Sequence, residues 1–337
     1  MARVWSTTQP ARQPPQEKTE EPVTVLVTGF GPFLDKFPLN TSWLLCTRLP
    51  ALIPSSSHPS HLSPSTPSSG PTTPIRILIH PSPIRVSYPT VSHLSPTLLP
   101  PLNPIFPHPD IILHIGLAAG RNFYTLEEGA HREGYDRIPD VDGVRWSTSD
   151  IERTFPRAEF PARLTTRFHT SDILPRWQKN LTESTLRSAK FTESNPSARV
   201  RETPEAEYDA LKQKQQQQQQ QTQPPIPDVR LSPDAGNFLC GFIYYNTLAN
   251  CYSLQKLQEL DHTPTTVKMP TVAFLHVPDL TYSEEGLEEG KEVVVGLIKA
   301  LVESLRTVGV KEGIEKGSEE REESGSVERR VDVNFRA

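Results

Sequence analysis

Only three cysteines occur in the 337-residue chain, at positions 46, 240 and 251. Their irregular spacing builds neither a disulfide framework nor a metal-ligand pattern, which points to a soluble protein of a reducing, cytoplasmic compartment. Long apolar runs are missing as well. Ile111–Ala119 and Val293–Leu301 fall well short of the roughly 20 residues that span a bilayer, so no membrane partner is expected. The polar stretch Met1–Glu21 has no hydrophobic core ahead of a small-residue cleavage site and does not read as a secretory leader. Basic charge is not in excess: 35 Lys and Arg face 40 Asp and Glu, a net charge of -5. No nucleic-acid partner is expected from that balance.

Proline is what the chain has in plenty. Its 35 prolines are about twice ordinary usage and cannot be spread through helices and central strands. Sixteen of them lie between Pro50 and Pro109. The Ser/Thr/Pro-rich segment at about 54–74 has no periodic apolar face and reads as a disordered insertion. A second soft stretch, 184–227, contains the glutamine run Gln215–Gln221. The tail 311–337 is dense in charge and poor in apolar residues. With residues 1–21 read as a disordered extension, one domain remains over 22–310, interrupted by the two insertions. No internal repeat is visible.

Within that domain several segments read as folded. Val23–Thr28 is a β-branched run stopped by Gly29, the pattern of a buried strand. Ile75–His80, Ile84–Tyr88, Asp110–Gly116 and Thr271–His276 read as further strands. Asn40–Leu49, Phe238–Tyr252 and Ser283–Arg306 read as helices, the last with Ser283 as cap and Leu287, Val294, Ile298 and Leu301 on one face. Strands alternating with helices predict a single three-layer α/β/α domain with a twisted, mainly parallel central sheet.

Four segments carry possible chemistry. TGFGPF (Thr28–Phe33) runs a strand into a tight loop bearing Phe30 and Phe33. The third glycine of a dinucleotide fingerprint is missing and no GK[ST] follows, so no nucleotide cofactor is expected. Two aromatic rings at the carboxyl end of a strand either line a ligand site or pack under their own loop, and the second reading is the commoner. Gly116–Ile138 reads as a glycine-bearing loop holding Glu127, Glu128 and His131. A single E-x-x-H falls short of the two copies that di-metal bundles use, so no metal is expected. In DAGNFLC, Gly236 and Asn237 turn the chain just before a helix. Cys240 then sits near a helix N-terminus, where free N–H groups and the dipole favour a thiolate, although a buried, inert cysteine is the commoner case. In FLHVP, His276 lies at the carboxyl end of a strand, where a structural histidine is also the commoner reading.

Taken in order, these pieces resemble the pyroglutamyl peptidase I (pyrrolidone-carboxylate peptidase) family of cysteine peptidases. The resemblance rests on VLVTGFGPF with NTSW (Val25–Trp43), PDIILHIGLAAGR and LE (Pro109–Glu127), YDRIPD (Tyr135–Asp140), DAGNFLC (Asp234–Cys240) and FLHVP (Phe274–Pro278). It implies a Cys–His–Glu constellation that hydrolyses the amide bond after an N-terminal pyroglutamyl residue, through a thioacyl-enzyme and without a cofactor. By this resemblance Cys240 is the nucleophile, His276 the general base and Glu127 the acidic partner. Arg137 falls on the family's arginine near the oxyanion. Phe30, Phe33, Ile138 and Phe238 fall on the ring pocket, and Gly116 and Leu117 on the segment that bonds the lactam through its backbone. Peptides with N-terminal pyroglutamate are the implied partners; the sequence leaves the oligomeric state open. The chain departs from the family pattern at Leu34, Asp35, Ala119, Glu128–Arg132 and Gly241. A non-catalytic binding module on the same fold is the competing expectation, weakened because such a module has no need of Glu127, Cys240 and His276 together.

Overall fold

A computed structural model describes residues 21–33, 37–55, 73–105, 108–193, 225–260 and 268–312. The expected N-terminal extension, most of both expected insertions and the charged tail beyond Glu312 lie outside the described residues.

In chain order the elements are β1 (Val23–Gly29), α1 (Thr41–Cys46), β2 (Leu52–Ile53), β3 (Ile75–Ile79), α2 (Tyr88–Leu94) and a 3-10 turn (Ser95–Leu98). There follow β4 (Ile111–Leu117), β5 (Tyr124–Glu127), β6 (Gly129–His131), α3 (Thr148–Thr154), β7 (Arg163–Thr165) and α4 (Thr170–Glu193). The described chain ends with β8 (Val229–Ser232), α5 (Leu239–Leu260), β9 (Thr271–Val277) and α6 (Glu284–Thr307). Seven strands form one sheet in the order β2-β3-β1-β4-β9-β5-β8, and β6 pairs with β7 in a separate ribbon. The pairs β3–β1, β1–β4 and β4–β9 are parallel; β2 runs antiparallel to β3, and β5 antiparallel to β9.

Strand alternation sorts the side chains into two cores. Val23, Val25 and Val27 of β1 share one face with Ile111, Leu113 and Ile115 of β4 and Ala273, Leu275 and Val277 of β9. Helices α1, α4 and α6 cover that face. Trp177 of α4 is fully buried and donates its indole N–H to the Val293 carbonyl of α6, at 2.9 Å. On the other face Leu26, Ile112, Val272 and Phe274 meet Phe242, Ile243 and Tyr244 of α5, with α2 and the 3-10 turn beside them. Covered on both faces, the sheet is the middle layer of the α/β/α architecture its sequence pattern predicts.

The expected helix Ser283–Arg306 forms as α6, with Ser283 accepting from the Gly286 N–H and Glu284 and Glu285 in the first turn. Other expectations are corrected. Ile84–Tyr88 is not a strand: Ile84 makes a single bridge to Phe30, and Ser87 starts α2, whose first turn holds a proline. Proline lacks an N–H that the first helical turn leaves unbonded anyway. Gly116–Ile138, read as a loop, contains β5 and β6. Helix α5 runs on past Tyr252 to Leu260, and α4 reaches Glu193, well into the stretch expected to be soft from Ser184.

Candidate active site

The sheet face under α5 differs from its apolar counterpart in carrying polar side chains. Thr28, His114, Thr125, Glu127 and His276 are all buried there. His114 is accounted for by two threonines, bonding Thr28 Oγ1 at 2.7 Å and Thr247 Oγ1 at 3.1 Å. Complete burial lowers its pKa to about 3, so it stays neutral. It is a satisfied core histidine.

His276 has different surroundings. Because β5 runs antiparallel to β9, Thr125 lies opposite His276 and Glu127 opposite Phe274. Glu127 is then the diagonal neighbour of His276 on the same face, within side-chain reach. The Glu127 Oε1 and His276 Nδ1 atoms are 2.7 Å apart, with the carboxylate wholly buried. On its other side the imidazole is hydrogen-bonded to Cys240. The three side chains expected from the sequence are therefore in one line, with His276 between the other two. Glu128, next along the chain, points the opposite way and accepts from Thr170 Oγ1 at 2.7 Å. Strand alternation separates two glutamates that the sequence leaves equivalent.

Electrostatics give this line a direction. Burial by itself would lower the pKa of His276. The charge and hydrogen bond of Cys240, followed by those of Glu127, outweigh it and raise the imidazole to about 9. Burial would likewise raise Glu127, but the hydrogen bond and charge of His276, helped by Ser232 and Thr125, hold the carboxyl below its ordinary range. At neutral pH the middle of the line is an imidazolium between a carboxylate and a sulfur. Phe274 presses edge-on against the imidazole, its ring centre 4.8 Å away.

Cys240 is the second residue of α5, ahead of the first helical hydrogen bond, from Phe242 N–H to the Phe238 carbonyl at 2.9 Å. Its own amide lies among the N–H groups that a helix start leaves unbonded. Two glycines make room for the sulfur and its turn. A Cβ on Gly116 would lie 2.9 Å from Cys240 Sγ and 2.7 Å from Phe274 Cζ. A Cβ on Gly241 would lie 1.8 Å from the Gly236 carbonyl oxygen, which folds back over the first turn of α5. The departure from the family pattern at Gly241 thus fits a turn packed tightly against the helix.

Beside Cys240 opens a pocket lined by Phe30, Phe33, Asn40, Val86, Leu117, Phe238, Leu239 and Cys240. Asn40 is the N-cap of α1 and shapes this pocket by holding its loop. It donates to the Gly31 carbonyl at 2.9 Å and accepts from the Ser42 N–H at 3.0 Å, while Ser42 Oγ accepts from the Phe30 N–H at 3.0 Å. Leu117 adds a backbone edge. Pairing of β1 with β4 stops at Gly29 and Ile115, and Ala118 donates to Val277 of β9 at 2.8 Å. Alternation turns the Leu117 N–H and C=O to the side that β1 has left.

The chain is similar to pyroglutamyl peptidases of solved structure. A mutant of pyrrolidone carboxyl peptidase from the hyperthermophile Pyrococcus furiosus matches with a TM-score of 0.47 at 17% identity, over 84% of this chain and 100% of that one. Pyroglutamyl peptidase I from Bacillus amyloliquefaciens matches with a TM-score of 0.46 at 19% identity, over 84% of this chain and 96% of that one. No protein-family model and no curated protein matches the sequence.

Among the expected site residues, the structure brings Glu127, His276 and Cys240 into contact, puts Gly116 against the sulfur, and lines the pocket with Phe30, Phe33, Leu117 and Phe238. It does not gather the remaining two in the same way. Arg137 is exposed, and its carbonyl accepts from the Arg145 guanidinium. The Ile138 carbonyl accepts from the Tyr88 hydroxyl at 3.0 Å. Neither lines the pocket. Sequence reasoning missed Arg121, Thr125 and Tyr244. Thr125 and Arg121 reach Glu127 Oε1 at 2.7 and 3.2 Å, and the Tyr244 hydroxyl donates to the Glu127 carbonyl at 3.2 Å. Thr125 was within reach of a strand reading, since it stands two residues before Glu127 and so on the same face. Among the described residues no group of three or more His, Cys, Asp or Glu is placed to hold a metal ion, and no helix is long and apolar enough to cross a membrane.

Proposed function

We propose that the chain is a cysteine exopeptidase that removes N-terminal pyroglutamate from peptides in a reducing, cytoplasmic compartment. The observation that carries this reading is the contact line Cys240–His276–Glu127 at the mouth of an apolar pocket. A neutral lactam suits such a pocket, whereas the ammonium of a free N-terminus would lose its hydration there without a partner. The Leu117 backbone edge suits the lactam amide, which both donates and accepts.

In this mechanism the Cys240 thiolate attacks the carbonyl carbon of the scissile amide and forms a C–S bond. The oxyanion takes a hydrogen bond from the Cys240 amide at the helix start. His276, as imidazolium, gives its Nε2 proton to the leaving amine as the C–N bond breaks. Water then attacks the thioester, passes a proton to the neutral imidazole, and the C–S bond breaks to return the thiolate. Glu127 orients the ring through Nδ1 and favours its charged form. The roles that the resemblance implies for Arg137 at the oxyanion and for Ile138 beside the bound ring would require both to move to a pocket that neither lines.

The test is hydrolysis of a pyroglutamyl aminomethylcoumarin amide in the presence of reductant. The wild-type protein should release fluorophore, and Cys240→Ser and His276→Gln should not. Well-folded wild-type protein that releases none overturns the proposal.

A further inference from the structure

The Glu127 carboxylate has a third ligand that neither the sequence nor the mechanism above uses. Its Oε1 atom accepts from His276 Nδ1 at 2.7 Å, from Thr125 Oγ1 at 2.7 Å and from Arg121 Nη1 at 3.2 Å. Arg121 also donates to Thr125 Oγ1 at 2.8 Å, so guanidinium, hydroxyl and carboxylate close a small ring of bonds. Because Arg121 and His276 bond one oxygen, their two cationic nitrogens lie within about 6 Å of each other, close enough for strong coupling in a buried site.

Arg121 is itself held from outside. Its guanidinium carbon lies 6.0 Å from the centre of the Phe123 ring, and Arg230 of the edge strand β8 covers that ring at 4.0 Å. Arg230 is fixed in turn by Asp228, with three contacts of 3.0, 3.1 and 2.6 Å. The other groups facing the Glu127–His276 pair are known element by element. Cys240 and Tyr244 come from α5, Thr125 from β5 and Ser232 from β8. His114 of β4 is neutral and bonded to its two threonines. Arg121 is therefore the permanent positive charge bonded to Glu127.

We propose that Arg121 is a positioning residue for the His276–Glu127 pair, aiming Oε1 at His276 Nδ1 while its charge opposes over-stabilisation of the imidazolium. The sign follows directly. A cation beside an imidazolium disfavours the protonated ring, and a donor already bonded to Oε1 competes with Nδ1–H for the same oxygen. Neutralising Arg121 therefore makes His276 harder to deprotonate. The proposal rests on the peptidase reading for its kinetic part only.

The experiment follows the His276 ring by NMR across pH in full-length wild-type protein, Arg121→Gln and Arg121→Lys. In Arg121→Gln the His276 titration should move up by about half to one pH unit. Arg121→Lys keeps the charge and should stay near wild type. With a pyroglutamyl amide substrate, Arg121→Gln should lose about tenfold in kcat at constant KM, with the alkaline limb of the profile moved up in step. The lysine variant should recover part of kcat. A merely structural arginine, tethering its loop through Phe123, would lower the melting temperature and leave the His276 titration in place, and that result overturns the proposal. So does a downward shift in Arg121→Gln. If wild-type protein hydrolyses nothing, the peptidase reading fails while the NMR comparison still decides the role of Arg121. Should Arg121→Gln not fold, an unchanged titration in Arg121→Met overturns the proposal and an upward one supports it.

Discussion

Replacing Gly116 by alanine tests the site at its tightest point. The added Cβ would lie 2.9 Å from Cys240 Sγ and 2.7 Å from Phe274 Cζ. Ordinary carbon contacts fall at about 3.5–4.0 Å, so the sulfur and the ring must each retreat by roughly 1 Å. Overpacking of this kind costs about 1–3 kcal/mol of stability, or several degrees of melting temperature in a domain of this size, at roughly 2–4 °C per kcal/mol. Activity should suffer far more, because a reacting atom misplaced by about 1 Å costs on the order of 10²-fold. Gly143 supplies the control. Its φ is +76° with nothing within 4 Å of an added Cβ, so Gly143→Ala carries backbone strain without touching the site. That strain is worth about 1–2 kcal/mol, comparable to the loss expected at Gly116. Both variants should melt a few degrees early by differential scanning fluorimetry. Only Gly116→Ala should lose kcat/KM on a pyroglutamyl amide and slow the alkylation of Cys240. Wild-type kcat/KM in a folded Gly116→Ala protein would refute the placement of the sulfur against β4.

Other consequences can be measured separately. A histidine whose folded pKa is raised to about 9 adds stability that is complete below its unfolded value of about 6.5 and is lost as pH rises through 9. The melting temperature should therefore fall between pH 7.5 and 10 by the equivalent of about 2 kcal/mol, and His276→Gln should flatten that slope; an equal slope in both proteins would exclude His276 as its source. Iodoacetamide at pH 7.5 should modify Cys240 alone, because burial pushes Cys251 up to about 12 and Cys46 higher still. Peptide mapping that finds Cys46 or Cys251 modified first would contradict this. Glu127→Gln keeps an acceptor near Nδ1 and removes the charge. It should lower kcat by about 10²–10⁴-fold with little change in KM, and a kcat within twofold of wild type would remove Glu127 from the mechanism.

The sheet interior was the legible part of the sequence, for a physical reason. Strands β1, β4 and β9 are buried on both faces, so they read as unbroken β-branched and apolar runs. Helix α6 was equally plain, since it places charges outside, apolar residues inside and Ser283 at its start. Strand β5 was not. Its Tyr124 and Leu126 enter the apolar layer while Thr125 and Glu127 enter the other, so a fully buried strand carries the alternation of a solvated one. Helix α4 was hidden by Pro175 within it. At the site, a helix start and a strand end marked Cys240 and His276 only as candidates, and it was the family resemblance that gave them roles. The role of Arg121 could not, because its contact with Glu127 depends on a loop closing over an antiparallel pair in an otherwise parallel region.

The central sheet ends on two short strands, β2 with two residues and β8 with four. Short edges offer little template for a second chain, and β8 adds the pair of Arg230 with Asp228 and a guanidinium stacked on Phe123. Defence against strand-to-strand aggregation and support of the Glu127 carboxylate thus converge on Arg230 and Phe123. A surface change there would carry two liabilities together: a stickier border, and an acidic group held less firmly a few ångströms inside it.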